Sequence, residues 1–127
     1  MSKQYSLNKK DRLKSKKTID LLFENGQSVK LFPLIIKYHL DSKGGIGLQA
    51  GFSVSKRKFK RAVDRNLLKR KMRESYRLNK DILSEAVQTS SLSLMILYVG
   101  NDICSYDQIF KKMTRALNKL SDELSQS

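Results

Sequence analysis

The densest chemistry in the chain is cationic. Between Lys56 and Arg77 stand Lys56, Arg57, Lys58, Lys60, Arg61, Arg65, Lys69, Arg70, Lys71, Arg73 and Arg77, opposed only by Asp64 and Glu74. At 100° per residue, Asn66, Lys69, Arg70, Arg73 and Arg77 share one side of a helix, with Arg65 beside them. Leu68, Met72 and Tyr76 form a separate apolar row at i, i+4 and i+8. Like charges at i, i+4 repel by a few tenths of a kcal/mol, and a solvated helix usually mixes signs to avoid this. Arg65, Lys69 and Arg73 stack with no carboxylate between them, a pattern that a polyanion relieves. Arginine suits such a partner because its planar fork grips phosphate through two N–H groups and stacks on unpaired bases. Asn66 either donates to phosphate and reads a base edge or packs within the helix. Phe59, inside the run, is a core anchor or a stacking platform.

Residue types suited to covalent chemistry are sparse. Cys104 and His39 are the only cysteine and the only histidine, so neither a disulfide, a zinc cluster nor a nucleophile-base pair can be assembled from them. A protein-only nuclease needs several carboxylates around one metal centre. The nearest approach, Asp20 and Glu24 at i, i+4, reads as two surface carboxylates on an otherwise basic chain. No metal site is expected.

Composition agrees. In 127 residues, 26 Lys+Arg oppose 12 Asp+Glu, for a formal charge of +14, while hydrophobic residues make up 39%. Enough apolar material is present to build a core, and the charge asks for an anionic partner, with nucleic acid the best candidate. No run approaches the roughly 20 apolar residues of a membrane span, and MSKQYSLNKK lacks the apolar stretch of a secretory signal, so a cytoplasmic protein without membrane contact is expected.

The elements that must position the basic run form a single domain over 1–127, with a basic arm at 1–14 and a frayed tail at 125–127. Ser15 can cap a short helix carrying Ile19, Leu22 and Phe23, stopped by Asn25-Gly26. Leu31 to Leu40 reads as a strand, with Pro33 at its start or at a sheet edge. Asp41 to Gly45 is turn chemistry. Beyond it Ile46, Leu48, Ala50, Phe52 and Val54 alternate with Gly47, Gln49, Gly51, Ser53 and Ser55, giving a core face and a face of small polar residues open to a ligand. A helix over 60–79, a buried strand over 92–99 and an amphipathic helix over 107–124 follow, with Ile109, Phe110, Met113, Ala116, Leu117, Leu120 and Leu124 on one side of the last. The whole is an α+β layer structure.

The run Phe52-Ser53-Val54-Ser55-Lys56-Arg57, followed by Arg61-Ala62-Val63-Asp64-Arg65-Asn66-Leu67-Leu68-Lys69-Arg70-Lys71-Met72-Arg73-Glu74, closely resembles the arginine-asparagine signature of the bacterial ribonuclease P protein subunit. A looser likeness extends over nearly the whole chain, including Arg12-Leu13-Lys14 and Phe23-Glu24-Asn25-Gly26. The resemblance implies a compact two-layer α-β sandwich in the order α-β-β-β-α-β-α, with a left-handed βαβ crossover, a hand that general connection rules make rare. It implies an accessory subunit of a ribonucleoprotein endonuclease, in which a catalytic RNA removes the 5′ leader from precursor tRNA. Mg²⁺ is then held mainly by RNA, and the protein alone carries no cofactor. Its partners would be the catalytic RNA and precursor tRNA with its leader, with no DNA.

Carried onto this chain, Lys56, Arg57, Arg61, Arg65, Asn66, Lys69, Arg70, Arg73 and Arg77 would face RNA. Phe23, Tyr38, Phe52, Ser53 and Ser55 would line a cleft for the single-stranded leader. Two positions depart from the pattern: Leu67 stands where a third signature arginine is common, and Lys60 where a glycine often precedes the signature. The rival reading, a structural or chaperone-like RNA binder such as a small ribosomal protein, shares the charge and size but has no need of a leader cleft. A DNA reader would place uncharged base-contacting residues among its phosphate contacts, and this stripe is almost wholly cationic.

Overall fold

The computed structural model describes residues 27–41, 47–84 and 91–125. The expected arm, the short helix with Phe23, and residues 126–127 lie outside them. In the described chain, strands β1 (Gln27–Leu31), β2 (Leu34–Asp41) and β3 (Gly47–Val54) precede helix α1 (Ala62–Asn79) and a 3₁₀ turn at Lys80–Leu83. Strand β4 (Ser91–Tyr98) and helix α2 (Tyr106–Ser125) follow.

The stretch expected to be one strand from Leu31 to Leu40 is divided between two. Proline has no N–H for a ladder, and Phe32-Pro33 forms the turn of a hairpin in which Leu31 pairs with Leu34 and Gln27 with Tyr38. The mixed sequence QSVKL of β1 gives little sign of a strand. It is an edge strand, paired on one side only.

The sheet order is β1-β2-β4-β3. β1 and β4 both run antiparallel to β2, whereas β3 and β4 are parallel neighbours joined through α1. The register aligns Leu34, Ile36, Tyr38 and Leu40 with Tyr98, Ile96, Leu94 and Leu92, and these with Val54, Phe52, Ala50 and Leu48. All of them face the layer made by α1 and α2. Leu68, Met72 and Tyr76 of α1 and Ile109, Met113, Leu117 and Leu120 of α2 are almost completely buried against them. The two ends of the amphipathic stripe of α2, Phe110 and Leu124, are only partly covered. Central β4 also buries Ser93 and Met95 on its opposite side, which explains why its sequence is nearly continuously apolar.

The end of the sheet nearest α1 is closed by hydrogen bonds. The Tyr98 hydroxyl donates to the Asp102 carbonyl and accepts from the Cys104 N–H at 3.1 Å, holding the connection from β4 to α2. Buried Ser75 returns its hydroxyl to the Met72 carbonyl at 3.0 Å. No buried side-chain nitrogen or oxygen among the described residues is left without a partner, as a dry core requires.

Candidate nucleic-acid interface

The chain leaves β3 through a turn that brings the basic run to the start of α1. The Ser55 hydroxyl accepts from the Arg57 and Lys58 N–H groups at 3.2 and 3.4 Å, and the Phe59 N–H donates to the Ser55 carbonyl at 3.1 Å. Lys58 reaches across to the Val99 carbonyl at 2.7 Å. Phe59 is buried and meets Tyr98 edge to face with ring centroids 5.9 Å apart, so of its two possible roles it takes that of core anchor.

Helix α1 begins at Ala62 without a side-chain cap on Arg61. Arg65 supplies the missing order from within the helix: its Nη1 donates to the carbonyls of Phe59 and Lys60 at 2.8 and 2.9 Å. One of the signature arginines therefore has half its fork engaged in holding the preceding turn. Arg77 is also engaged, paired with Glu74 one turn earlier, where its Nε donates to Oε2 at 3.1 Å. That pairing pulls the Glu74 carboxyl below and pushes the Arg77 guanidinium above their ordinary values, chiefly through the hydrogen bond itself. Arg73 lies over the Phe52 ring, 5.7 Å from its centroid, and Lys71 ties α1 to the Cys104 carbonyl at 2.9 Å.

The remaining cations are presented outward. Lys56, Arg57, Arg61 and Arg70 are exposed and Lys69 half-exposed, and none of their side chains forms a hydrogen bond or ion pair among the described residues. Asn66 is exposed beside them, neither capping the helix nor packed into it. Leu67, where a third arginine is common, is half-buried.

The residues expected to line one cleft do not share a surface. Strand alternation turns Tyr38 and Phe52 toward the helices and Ser53 to the opposite side. Tyr38 is buried, its hydroxyl within 2.8 Å of Gln27 Oε1 and 2.9 Å of Glu123 Oε2 near the end of α2. Burial first, then the Glu123 carboxylate, push its pKa up to about 12. Phe52 packs edge-on against Tyr76 at 5.7 Å beneath Arg73. Ser55 is part of the turn described above. Phe23 lies outside the described residues. The residues on Ser53's side include Gly51 and Gln49 of β3, Met95 and Leu97 of β4, and Lys37 and His39 of β2. The alternation of Leu34, Ile36, Tyr38 and Leu40 in the sequence places Lys37 and His39 on that side.

Among the described residues no three carboxylate, histidine or cysteine side chains come together as a metal site would require. A two-layer α+β domain with a basic helix mounted on a fixed turn and its cations directed outward has the build of an RNA-binding protein. The family model described as Ribonuclease P matches residues 7–121, and the chain belongs to that family. It is 29% identical to a ribonuclease P protein component from Porphyromonas gingivalis over 126 residues, covering 97% of this chain and 92% of the relative. It is 34% identical to that of Citrifermentans bemidjiense over 100 residues, covering 79% and 80%. The fold is similar to the Staphylococcus aureus RNase P protein, with a TM-score of 0.71 at 21% identity, covering 87% of this chain and 94% of that one. It is a component of the RNase P ribonucleoprotein enzyme.

Proposed function

We propose that this protein binds the catalytic RNA of ribonuclease P through the outward cations of the turn and α1, and steadies the 5′ leader of precursor tRNA on the side of its sheet opposite α1 and α2. The observation that carries the first part is the set Lys56, Arg57, Arg61, Asn66 and Arg70, exposed, with half-exposed Lys69, their side chains without partners among the described residues, on a scaffold fixed by Arg65, Lys58 and Phe59. A preorganised cationic surface loses little entropy when phosphate arrives, and releases counterions. Arg73 adds its charge at the edge of this surface, over Phe52.

The second part rests on the sheet side that carries Gly51, Ser53 and Gln49. Small side chains there let an extended strand of RNA approach the backbone, and Lys37 of β2 and Lys30 of β1 stand on the same side of the sheet beyond β4. Phosphodiester cleavage and the Mg²⁺ it requires are assigned to the RNA. Twelve acidic residues against 26 basic ones, none clustered among the described residues, support that division of labour, and a cytoplasmic location fits it.

The test is binding of precursor and mature tRNA by the reconstituted ribonucleoprotein. A leader-binding surface makes the complex hold precursor several-fold more tightly than mature tRNA, with the preference growing as the leader lengthens over its first few nucleotides. Equal affinities would leave the protein as a general RNA binder.

A further inference from the structure

Phe32 is exposed at 68%, the most exposed of the large apolar side chains in the described chain and the only aromatic among them. An apolar ring in water at the tip of a hairpin is a cost to the free protein, and a single exposed residue needs no explanation unless its surroundings give one. Here they do. The turn that carries it is fastened rather than loose: Pro33 is buried, and its carbonyl accepts from the Val99 N–H at 2.8 Å. Gly100 lies so close that a Cβ there would meet Pro33 Cβ at 3.0 Å and Tyr98 Cε1 at 3.2 Å. Behind it Tyr98 packs on Phe59.

The turn also adjoins the basic run. The register that pairs Leu34 with Tyr98, and Tyr98 with Val54, brings the tip of the β1–β2 hairpin and the turn after β3 to the same end of the sheet. Val99 joins them directly, donating to Pro33 and accepting from Lys58 Nζ at 2.7 Å. Lys56, Arg57 and Lys60 stand exposed in that second turn. A rigid aromatic face beside unpaired cations is the arrangement by which proteins hold single-stranded nucleic acid, the cations tracking phosphate and the ring stacking on a base.

We infer that Phe32 is a stacking platform for an unpaired base of the bound RNA, seated at the sheet end beside the Lys56–Lys60 turn. The inference rests on the RNA-binding reading above and adds to it a site that recognises the base rather than the charge.

The chain has no tryptophan, so Phe32→Trp provides a single fluorophore at the platform. Full-length protein is titrated with a single-stranded oligoadenylate and, separately, with inorganic polyphosphate, which carries the charge without bases. Oligoadenylate is expected to quench the emission and polyphosphate to leave it nearly unchanged, while each binds. Phe32→Ala and Phe32→Leu, on an exposed position that leaves the core intact, should each weaken oligoadenylate binding roughly 10-fold with an unaltered salt slope, and leave polyphosphate binding as it was. Unquenched emission, a loss shared equally by polyphosphate, or a Leu variant that binds like wild type would overturn the stacking site. Arg70→Ala separates the two readings: if it weakens RNA binding while Phe32→Ala does not, the cationic interface stands and the platform falls. Failure of the wild-type protein to bind RNA would remove both.

Discussion

Arg70 and Arg77 lie two turns apart on the same side of α1, yet they should behave differently when RNA binds. Arg70 is exposed with no partner among the described residues, whereas Arg77 is neutralised by Glu74 through hydrogen bonds from both Nε and Nη2. Each phosphate contact contributes about 0.7 to 0.9 to the slope of log affinity against log salt. Arg70→Ala should therefore make that slope shallower by about 0.7 to 0.9, and over a fourfold rise in salt from 50 to 200 mM the variant should lose roughly threefold less affinity than wild type does. Arg77→Ala removes one charge of a paired two and should change the slope by much less. Glu74→Gln is expected to free the guanidinium and steepen the slope. Filter binding or anisotropy on the catalytic RNA at several salt concentrations reads all three, with thermal unfolding as the control for folding. Equal slope changes for Arg70→Ala and Arg77→Ala would refute the reasoning that intramolecular pairing decides which cations contact RNA.

Other expectations concern stability. Arg65→Ala removes the two hydrogen bonds that hold the Phe59 and Lys60 carbonyls and should cost about 1–3 kcal/mol in denaturant unfolding, on top of any loss of RNA affinity. Gly100→Ala forces a methyl against Pro33 and Tyr98 and should destabilise by about 1–3 kcal/mol, read by the midpoint of urea unfolding. Tyr38 and Tyr98 both have pKa values pushed up to about 12, from an ordinary 10.0, mainly by burial. A folded-state value above the unfolded one means the stabilisation is fully present below pH 10 and is lost as pH rises toward 12. Alkaline unfolding monitored by tyrosinate absorbance should be steep in that range, and Tyr38→Phe should make it shallower while costing about 1 kcal/mol at neutral pH.

Much of the fold is legible in the sequence because its signals are periodic. Leu68, Met72 and Tyr76 announce the buried row of α1, and the apolar repeat from Ile109 to Leu124 announces α2. Strand β1 is hard to read because it is only five residues long, with Ser28 and Lys30 alternating against just two apolar residues, Val29 and Leu31, and the hairpin hides behind the apolar run on either side of Pro33. The site is less legible than the fold. Helical spacing identifies a cationic stripe, but it does not reveal that Arg65 turns back to the Phe59 and Lys60 carbonyls, because those partners precede the helix and depend on the turn after β3. The Glu74–Arg77 pair, at i, i+3, was there to be read. Tyr38 carries two signals: its phase with Leu34 and Ile36 places it among the core residues, where it is buried, while the resemblance to the family assigns it to a ligand cleft. Phe59 carried two readings, and burial makes it a core anchor, whereas exposure of Asn66 removes only its reading as a packed side chain.

Cleavage of precursor tRNA at low Mg²⁺ tests the central claim most directly, comparing the bacterial catalytic RNA alone, this protein alone and the two together. The mixture is expected to cut efficiently at the mature 5′ end where neither part does so alone, and Arg70→Ala should raise the protein concentration needed. Cleavage by the protein alone, or a mixture no faster than the RNA, would contradict the assignment of binding to this chain and chemistry to the RNA.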